Sequence, residues 1–404
     1  MTEFCSCQCE FIRRFVLVSF GLPHREIKFN PEGAEDFAEG RAAKFCVGAE
    51  TVSIQLRFPR PGRLFHLAAF PRIISRMQNK EIRLASRPTG TPTNDNFHIV
   101  DMDTPQPGDV LVRTLYISVD PYLRSRMREG RSYIAPFEIG QVIESGVVGE
   151  VVESRSSEFK PGDVVTGMLG WRLYNSANAG SLRKVLAGVP ISTALGVLGV
   201  PGLTAYFGLL DIGQPKEGET VAVSGAAGAV GTTVCQIAKI KGDRVVGVAG
   251  SDEKNRYLKE ELGVDAAINY KEADIRRALK ETCPRGIDVY FDNVGGEVSD
   301  AVMPLLNHGA RVIICGQISF YNLDRPDLGP RPQPYLLISS ALMKGFIITD
   351  YAQRFSEGVT QLAQWLSEGK LKYAETVVEG FENTPRAFIG LFNGENLGKQ
   401  LVKI

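Results

Sequence analysis

The chain has 404 residues, with Lys plus Arg and Asp plus Glu both at 46, so its formal net charge is zero. Such a length holds two or three domains around a large core, and the balanced charge offers no basic field to nucleic acid or an anionic membrane. Its seven cysteines are too few and too scattered for a disulfide framework.

Residues 1–76 differ in kind from the rest of the chain. Cys5, Cys7 and Cys9 alternate, Arg13 and Arg14 split the one apolar run, and no helix or strand period persists. A zinc site prefers roughly two to four residues between paired cysteines, which argues against metal here. The interrupting arginines argue against a secretory signal, and the acidic cluster Glu32, Glu35, Asp36 and Glu39 argues against a transit peptide. The segment is read as a poorly ordered upstream extension, with Met77 as the working start.

From Met77 the chain reads as strands and turns. Segments 110–119 (VLVRTLYISV) and 146–152 (GVVGEVV) are β-rich in composition, and Pro/Gly/Asp turns at 105–109 and 161–163 punctuate them. The pattern predicts a β-rich domain of roughly 100–150 residues. The most apolar stretch, 191–210, is broken by Pro201 and several glycines, so a buried helix entry suits it better than a membrane span.

Segment 220–250, TVAVSGAAGAVGTTVCQIAKIKGDRVVGVAG, is the most informative. A β-branched strand (220–223) meets a Gly/Ala turn, then an amphipathic helix (230–241), then a second apolar strand (245–249). This is the order in which a dinucleotide-binding unit is built. Gly228 lets the backbone approach a pyrophosphate, Gly231 lets the helix pack on the strand, and the phosphates face free N–H groups at the helix start. The first glycine of the usual pattern is Ala226, with Gly225 beside it to relax the turn. The predicted cradle is therefore Gly225, Ala226, Ala227, Gly228, Ala229, Val230 and Gly231. Helix 252–262, strand 266–268, strand IDVYFD from Ile287 and strand RVIIC from Arg311 continue the alternation. Alternating βα units predict a parallel sheet with helices on both faces. Segment 353–369 reads as a helix and 400–404 as a closing strand. Cys235, Cys283 and Cys315 fall within these elements and read as reduced, buried small hydrophobes of an intracellular protein.

From Met77 to Ile404 the chain resembles the zinc-independent medium-chain dehydrogenases/reductases of the leukotriene B4 dehydrogenase, prostaglandin reductase and alkenal double-bond reductase type. The resembling segments are VDPYLRSRM (119–127), SGAAGAVG (224–231), AGSDEK (249–254), INYK (268–271), FDNVGGE (291–297), ICGQISFYN (314–322) and NLGKQLVKI (396–404). The resemblance implies an α/β architecture in which a doubly wound Rossmann sheet is inserted in a GroES-like β-rich catalytic domain. Its implied spans are 77–200 for the catalytic domain, 201–345 for the Rossmann domain and 346–404 for a return to the catalytic domain. It further implies NADPH as hydride donor, an activated carbon–carbon double bond as acceptor, a homodimer and a cytoplasmic location.

Zinc relatives carry a Gly-His-Glu where GQVIESG begins at Gly140, and this stretch has no histidine. Only His98 and His308 lie beyond Met77, and no cysteine cluster accompanies them, so no metal is expected. Without a Lewis acid, alcohol oxidation lacks a means of forming an alkoxide, whereas conjugated alkene reduction needs only enolate stabilisation.

An NAD enzyme usually places an acid about 20 residues past the glycine turn to hold the ribose 2′-hydroxyl. Here the strand runs out in Val248, Ala249, Gly250 and Ser251, with Asp252 close by. Lys254, one turn into the next helix, and Tyr270 match family residues that meet a 2′-phosphate. Each taken alone reads as a surface lysine and a strand-end tyrosine; with the missing acid, NADP is favoured.

Tyr321 follows a strand end, where open α/β sheets bind ligands, and its phenol stays protonated at neutral pH. By pattern it is equally a loop cap; the resemblance assigns it the catalytic place beside the substrate carbonyl. The resemblance also places Asn293, Cys315, Phe346, Ile348 and Asn396 along the cofactor, though either asparagine could instead satisfy its own turn. Tyr122 and Trp171 are expected as substrate-pocket walls, and the proline-rich stretch 325–334 as a flap over that pocket. The expected activity is NADPH-dependent reduction of α,β-unsaturated aldehydes and ketones. An NADPH:quinone reductase and a non-enzymatic NADPH-binding protein are the alternatives.

Overall fold

The computed structural model describes residues 78–130 and 132–404, together with strands at 27–28, 43–47 and 50–54. Met77 and the cysteines expected to lie outside any metal site, Cys5, Cys7 and Cys9, fall outside the described residues. The chain forms two compact units, Met1–Ile74 and Ser75–Ile404. In the first, β1 (Ile27–Lys28), β2 (Ala43–Val47) and β3 (Glu50–Ile54) make an antiparallel sheet in the order β1-β2-β3. No strand is expected there from the pattern, because these strands are too short for a period to register.

In the second unit, β4 (Gln78–Leu84) and β5 (Phe97–Asp103) form a ribbon. Next come β6 (Val110–Ser118), the single helical turn α1 (Leu123–Arg126), β7 (Glu144–Ser154), β8 (Val164–Gly170), β9 (Tyr174–Ala177) and β10 (Arg183–Lys184). Helix α2 (Val200–Phe207) leads into β11 (Thr220–Ser224), α3 (Ala229–Ile240), β12 (Arg244–Ala249), α4 (Asp252–Glu260) and β13 (Ala266–Asn269). The alternation continues with α5 (Ile275–Thr282), β14 (Ile287–Asp292), α6 (Gly296–Val302), β15 (Leu306–Ile314), α7 (Gln333–Ile338) and β16 (Leu342–Gly345). Helix α8 (Phe355–Ser367), β17 (Glu375–Glu379), α9 (Thr384–Asn393) and β18 (Lys399–Lys403) close the chain.

One sheet is antiparallel except at β17–β18, in the order β10-β8-β7-β6-β18-β17 with β9 also on β6. The closing strand β18 pairs Leu401 with Ser118 and Val402 with Ile117, which returns the chain's end to the domain where it began. The core of this domain includes Trp171, fully buried, with its indole N–H donating to Ser145 Oγ at 2.8 Å and its ring 6.3 Å from both Phe97 and Phe388. Trp171 is therefore a core residue and not the pocket wall expected of it. A large aromatic with a satisfied polar end packs where several strands converge.

The other sheet is wholly parallel, in the order β13-β12-β11-β14-β15-β16. Strand alternation sends Val221, Val223, Val289, Phe291 and Ile313 to one face and Ala222, Tyr290 and Val312 to the other. Both faces are covered, so every residue of β11 is buried and the strand reads as a continuous apolar run. The apolar run at 191–210 becomes a short buried helix entry, and no helix among the described residues is long and apolar enough to cross a membrane.

The return to the catalytic domain falls later than residue 346. Leu362 and Trp365 of α8, and Leu371 beyond it, share the core formed by Leu203, Phe207 and Val223. Only at β17 does the chain join the other sheet. The apolar stripe of α8 fits the helical layer of the parallel sheet, and that packing sets the crossing near residue 374.

Candidate active site

A parallel sheet presents the carboxyl ends of its strands along a single edge. Gly225, Gly250, Tyr270, Asn293, Cys315 and Phe346 each stand one residue beyond the end of one of its six strands. Six segments distant in sequence thus meet along one crevice, the usual ligand position in open α/β sheets.

The turn after β11 needs a left-handed residue, and Gly225 supplies it with φ of 59°. The Ala226 N–H then bonds to Val248 O at 3.0 Å, and the Gly228 N–H to Gly225 O at 3.0 Å. Gly228 is the residue before α3 and no side chain caps the helix, so the first-turn amides of Ala229, Val230 and Gly231 have no intrahelical acceptor. A β-carbon on Gly231 would overlap Gly225 O and lie 2.7 Å from Ala226 Cα, so its absence lets α3 sit against β11. The buried Ala226 and Ala227 fill the space beneath. Gly398 donates its N–H to Ala227 O at 2.8 Å and pins this turn to the start of β18. Asn396 donates to Gly398 O at 2.8 Å, so its amide shapes that local turn.

At the end of β12, Ser251 Oγ accepts from the Lys254 N–H at 3.3 Å and starts α4. Lys254 Nζ donates to Gly394 O at 2.7 Å; burial, and then the neighbouring Lys271, lower its pKa. A β-carbon at Gly250 would lie 3.1 Å from Tyr270 Cε1 and 3.3 Å from Lys271 Cε, so Tyr270 and Lys271 close over the same spot. Asp252 accepts instead from Asn269 Nδ2 at 3.0 Å, and Glu253 acts on Lys254 only through its charge. Two mutually repelling ammonium groups, a phenol and an uncapped helix start fit a phosphorylated dinucleotide. Lys271 is not among the residues expected from sequence; the one signal that could find it is its place next to Tyr270, two residues past a strand end.

At the ends of β14 and β15 the site turns apolar and phenolic. Asn293 donates Nδ2 to Ser224 O at 2.7 Å and its N–H to Ser224 Oγ at 2.9 Å, tying β11 to β14. Beneath it the buried Asp292 accepts from Ser224 Oγ, Tyr290 Oη, Ser299 Oγ and the N–H groups of Val294 and Gly295, at 2.6–3.0 Å. Burial pushes the Cys315 thiol up to about 12, and Asp292 adds to the shift, so the thiol is a neutral wall. Phe346 and Ile348 pack against the core below the crevice.

Tyr321 follows a short helical turn, Ile318–Phe320, and its phenol oxygen accepts a long 3.5 Å bond from the Gln317 N–H. Burial raises its pKa. From the catalytic domain comes Tyr133, which no motif singles out, and whose phenol is pushed up to about 12 by burial and by Tyr321, Cys315 and Asp120. Tyr133 is nevertheless 59% exposed, so it stands at the open edge of this group. Tyr122 is raised by burial and by Asp120, and Tyr133 adds to its shift. Three protonated phenols thus share one neighbourhood.

The proline-rich stretch lies elsewhere. Arg325, Pro326, Pro330 and Pro332 wall a cavity of about 640 Å³ with Tyr290, Ser299, Met303 and Phe320, and neither Tyr122, Tyr133 nor Tyr321 lines it. Instead of covering the phenols, the stretch covers the α6 side of the sheet. Among the described residues no group of three or more His, Cys, Asp or Glu is placed to hold a metal ion.

Two family descriptions match the chain: "N-terminal domain of oxidoreductase" over residues 80–185 and "Zinc-binding dehydrogenase" over residues 229–365. The chain is an oxidoreductase of the zinc-independent, NADP-dependent medium-chain dehydrogenase/reductase family. It is 57% identical over 331 residues to a putative NADP-dependent oxidoreductase, YfmJ, of Bacillus subtilis, covering 80% of this chain and 97% of that one. It is 47% identical to the NADPH-dependent curcumin reductase of Escherichia coli, over 81% of this chain and 98% of the relative. The crystal structure of CurA from Vibrio vulnificus with NADPH matches with a TM-score of 0.76 at 46% identity, over 80% of this chain and 98% of that chain.

Replacing Lys254 by Ala should raise the Michaelis constant for NADPH and leave that for NADH nearly unchanged. A charge-assisted contact to a 2′-phosphate is worth about 1.5–3 kcal/mol. Equal losses with both cofactors would remove Lys254 from that role.

Proposed function

We propose that this chain uses NADPH to reduce the carbon–carbon double bond of α,β-unsaturated aldehydes and ketones. The observation that carries the reading is the place of Tyr321 in the loop after β15, its phenol beside Gly316 and the Gln317 N–H just past the strand end; Tyr133 and, through it, Tyr122 share its electrostatic neighbourhood. The first-turn amides of α3 hold the pyrophosphate, and Lys254, Lys271 and Tyr270 hold the 2′-phosphate. When bound there, NADPH supplies a hydride to the β-carbon of the enone. Tyr321 donates its phenol proton toward the carbonyl oxygen, which gains charge as the double bond is reduced. Tyr133 and Tyr122 wall the substrate, and solvent protonates the α-carbon.

A free phenol titrates near about 10, and burial raises Tyr321 above its ordinary value. The donor form is therefore complete at neutral pH and is lost only as pH rises through the raised pKa. Tyr321→Phe should lower turnover by at most about 10²–10³, the range for one donor aimed at an oxyanion. In a panel read by NADPH absorbance, enones and enals should be turned over faster than quinones by the native enzyme. Quinones turned over faster, with Tyr321→Phe at native rates, would overturn the reading.

We also propose a cytoplasmic homodimer. Supporting the dimer, Leu337 and Ile338 at the end of α7 and Leu342 on the edge strand β16 are 83%, 80% and 52% exposed. An exposed apolar cluster beside a terminal sheet strand is a surface that a second copy, related by a two-fold axis, would cover. Cys235, Cys283 and Cys315 are free thiols, which supports the reducing compartment. Light scattering should report a dimer, and Ile338→Lys should yield monomer; a monomeric native protein would sink the proposal.

A further inference from the structure

Arg124 of α1 is completely buried, and its hydrogen bonds go to neutral oxygens, with the Asp324 carboxylate acting on it only through its charge. Its Nε donates to Asn322 Oδ1 at 3.0 Å, its Nη2 donates to Pro88 O at 3.0 Å and Gly90 O at 2.8 Å, and its Nη1 is buried with no partner. Burial and the charge of Arg128 push its pKa down to about 10. A guanidinium held only by neutral oxygens is unfavourable to bury. Its position explains its presence, because Asn322 directly follows Tyr321.

The neighbouring contacts repeat the theme. Arg128 Nη2 donates to Leu323 O at 2.6 Å, and Asp324 Oδ1 accepts from the Gly90 N–H at 2.8 Å. Three consecutive residues after Tyr321 are thus each held by the catalytic domain. Before Tyr321 the anchors belong to the parallel sheet: the Ile318 N–H donates to Asn293 O at 3.3 Å and Ser319 Oγ to Val294 O at 2.6 Å. Tyr321 sits at the crossover between two sets of anchors, one on each domain.

We infer that Arg124 is a positioning residue that acts through Asn322, clasping the loop after Tyr321 to the catalytic domain so that the phenol is fixed relative to both domains. The Arg124–Asn322 bond is the inner member of the clasp, from a fully buried guanidinium to a half-buried amide. Half-buried Arg128 and exposed Asp324 extend it toward the surface. Losing the interior bond frees the loop to drift, and a misplacement of about 1 Å at a reacting group is enough to lower turnover by up to 10²-fold.

The inference rests on the reading of Tyr321 as a donor, and the test separates the two. Asn322 lies on a loop, so Asn322→Ala should fold normally. It should lower kcat by about ten- to a hundredfold, while NADPH affinity, read by quenching of protein fluorescence, stays unchanged. Asn322→Asp should restore kcat, because a carboxylate oxygen accepts the same Nε proton. In a Tyr321→Phe background Asn322→Ala should have no further effect. An Asn322→Ala loss of equal size in both backgrounds, an Asn322→Asp as defective as the alanine, or no loss at all would overturn the clasp. A Tyr321→Phe enzyme at native kcat would instead overturn the donor role itself.

Discussion

The close approach of α3 to β11 is the constraint on which the rest depends. Where Gly231 crosses Gly225 and Ala226 there is no room for a β-carbon, so the helix start is drawn down onto the end of the central strand. That approach aims the uncapped amides of α3 at the crevice. It also sets Ala227 where Gly398 can bond to it, so the cofactor turn and the final strand share one fixed point. From there the parallel register lines up the remaining strand ends, and each contributes one residue to the crevice. The uncapped helix start, the strand-end residues and the phenol-bearing loop thus derive their places from one helix–strand contact and one sheet direction.

The two domains meet at the same place by complementary means. Buried Lys399, just after Gly398, donates to Val119 O and to Asp120 Oδ1, both at 2.9 Å, holding the turn before Tyr122. Across the crevice, Arg124 and Arg128 hold the loop after Tyr321. One connection ties the cofactor turn to the catalytic domain, and the other ties the parallel sheet to it. The phenols lie between these ties, where modest loop movement would alter their spacing. In the proposed mechanism this arrangement would orient a substrate oxygen with neutral donors that no ion pair fixes directly.

Much of this is legible in the sequence because it is periodic or punctuated. The β11–α3–β12 unit is readable from two apolar strands around a glycine turn, and the observed bounds differ by only a residue or two. The preference for NADP is readable because a missing acid at a strand end is a chemical statement. Trp171 is not: an aromatic in a β-domain looks the same in sequence whether it lines a pocket or a core, and only Phe97, Phe388 and Ser145 decide. Tyr133 is hidden in a polar loop, GRSYIAPF, that carries no period and reaches Tyr321 only through tertiary folding. The late return to the catalytic domain is hidden because α8 is an ordinary amphipathic helix, and its stripe does not say which core it will join. Arg124 stands within a family-like motif, but nothing in its spacing announces a buried cation bound to a residue 198 positions away.

The central claim is that the chemistry occurs at carbon, with the phenols serving the oxygen. It is tested most directly by following the label from NADPH stereospecifically deuterated at the transferred C4 position, with an enone as substrate, by NMR of the product. The account predicts deuterium at the β-carbon of a saturated ketone, with the α-hydrogen drawn from solvent. Deuterium on the carbinol carbon of an allylic alcohol would mean that the hydride goes to the carbonyl, and would contradict it.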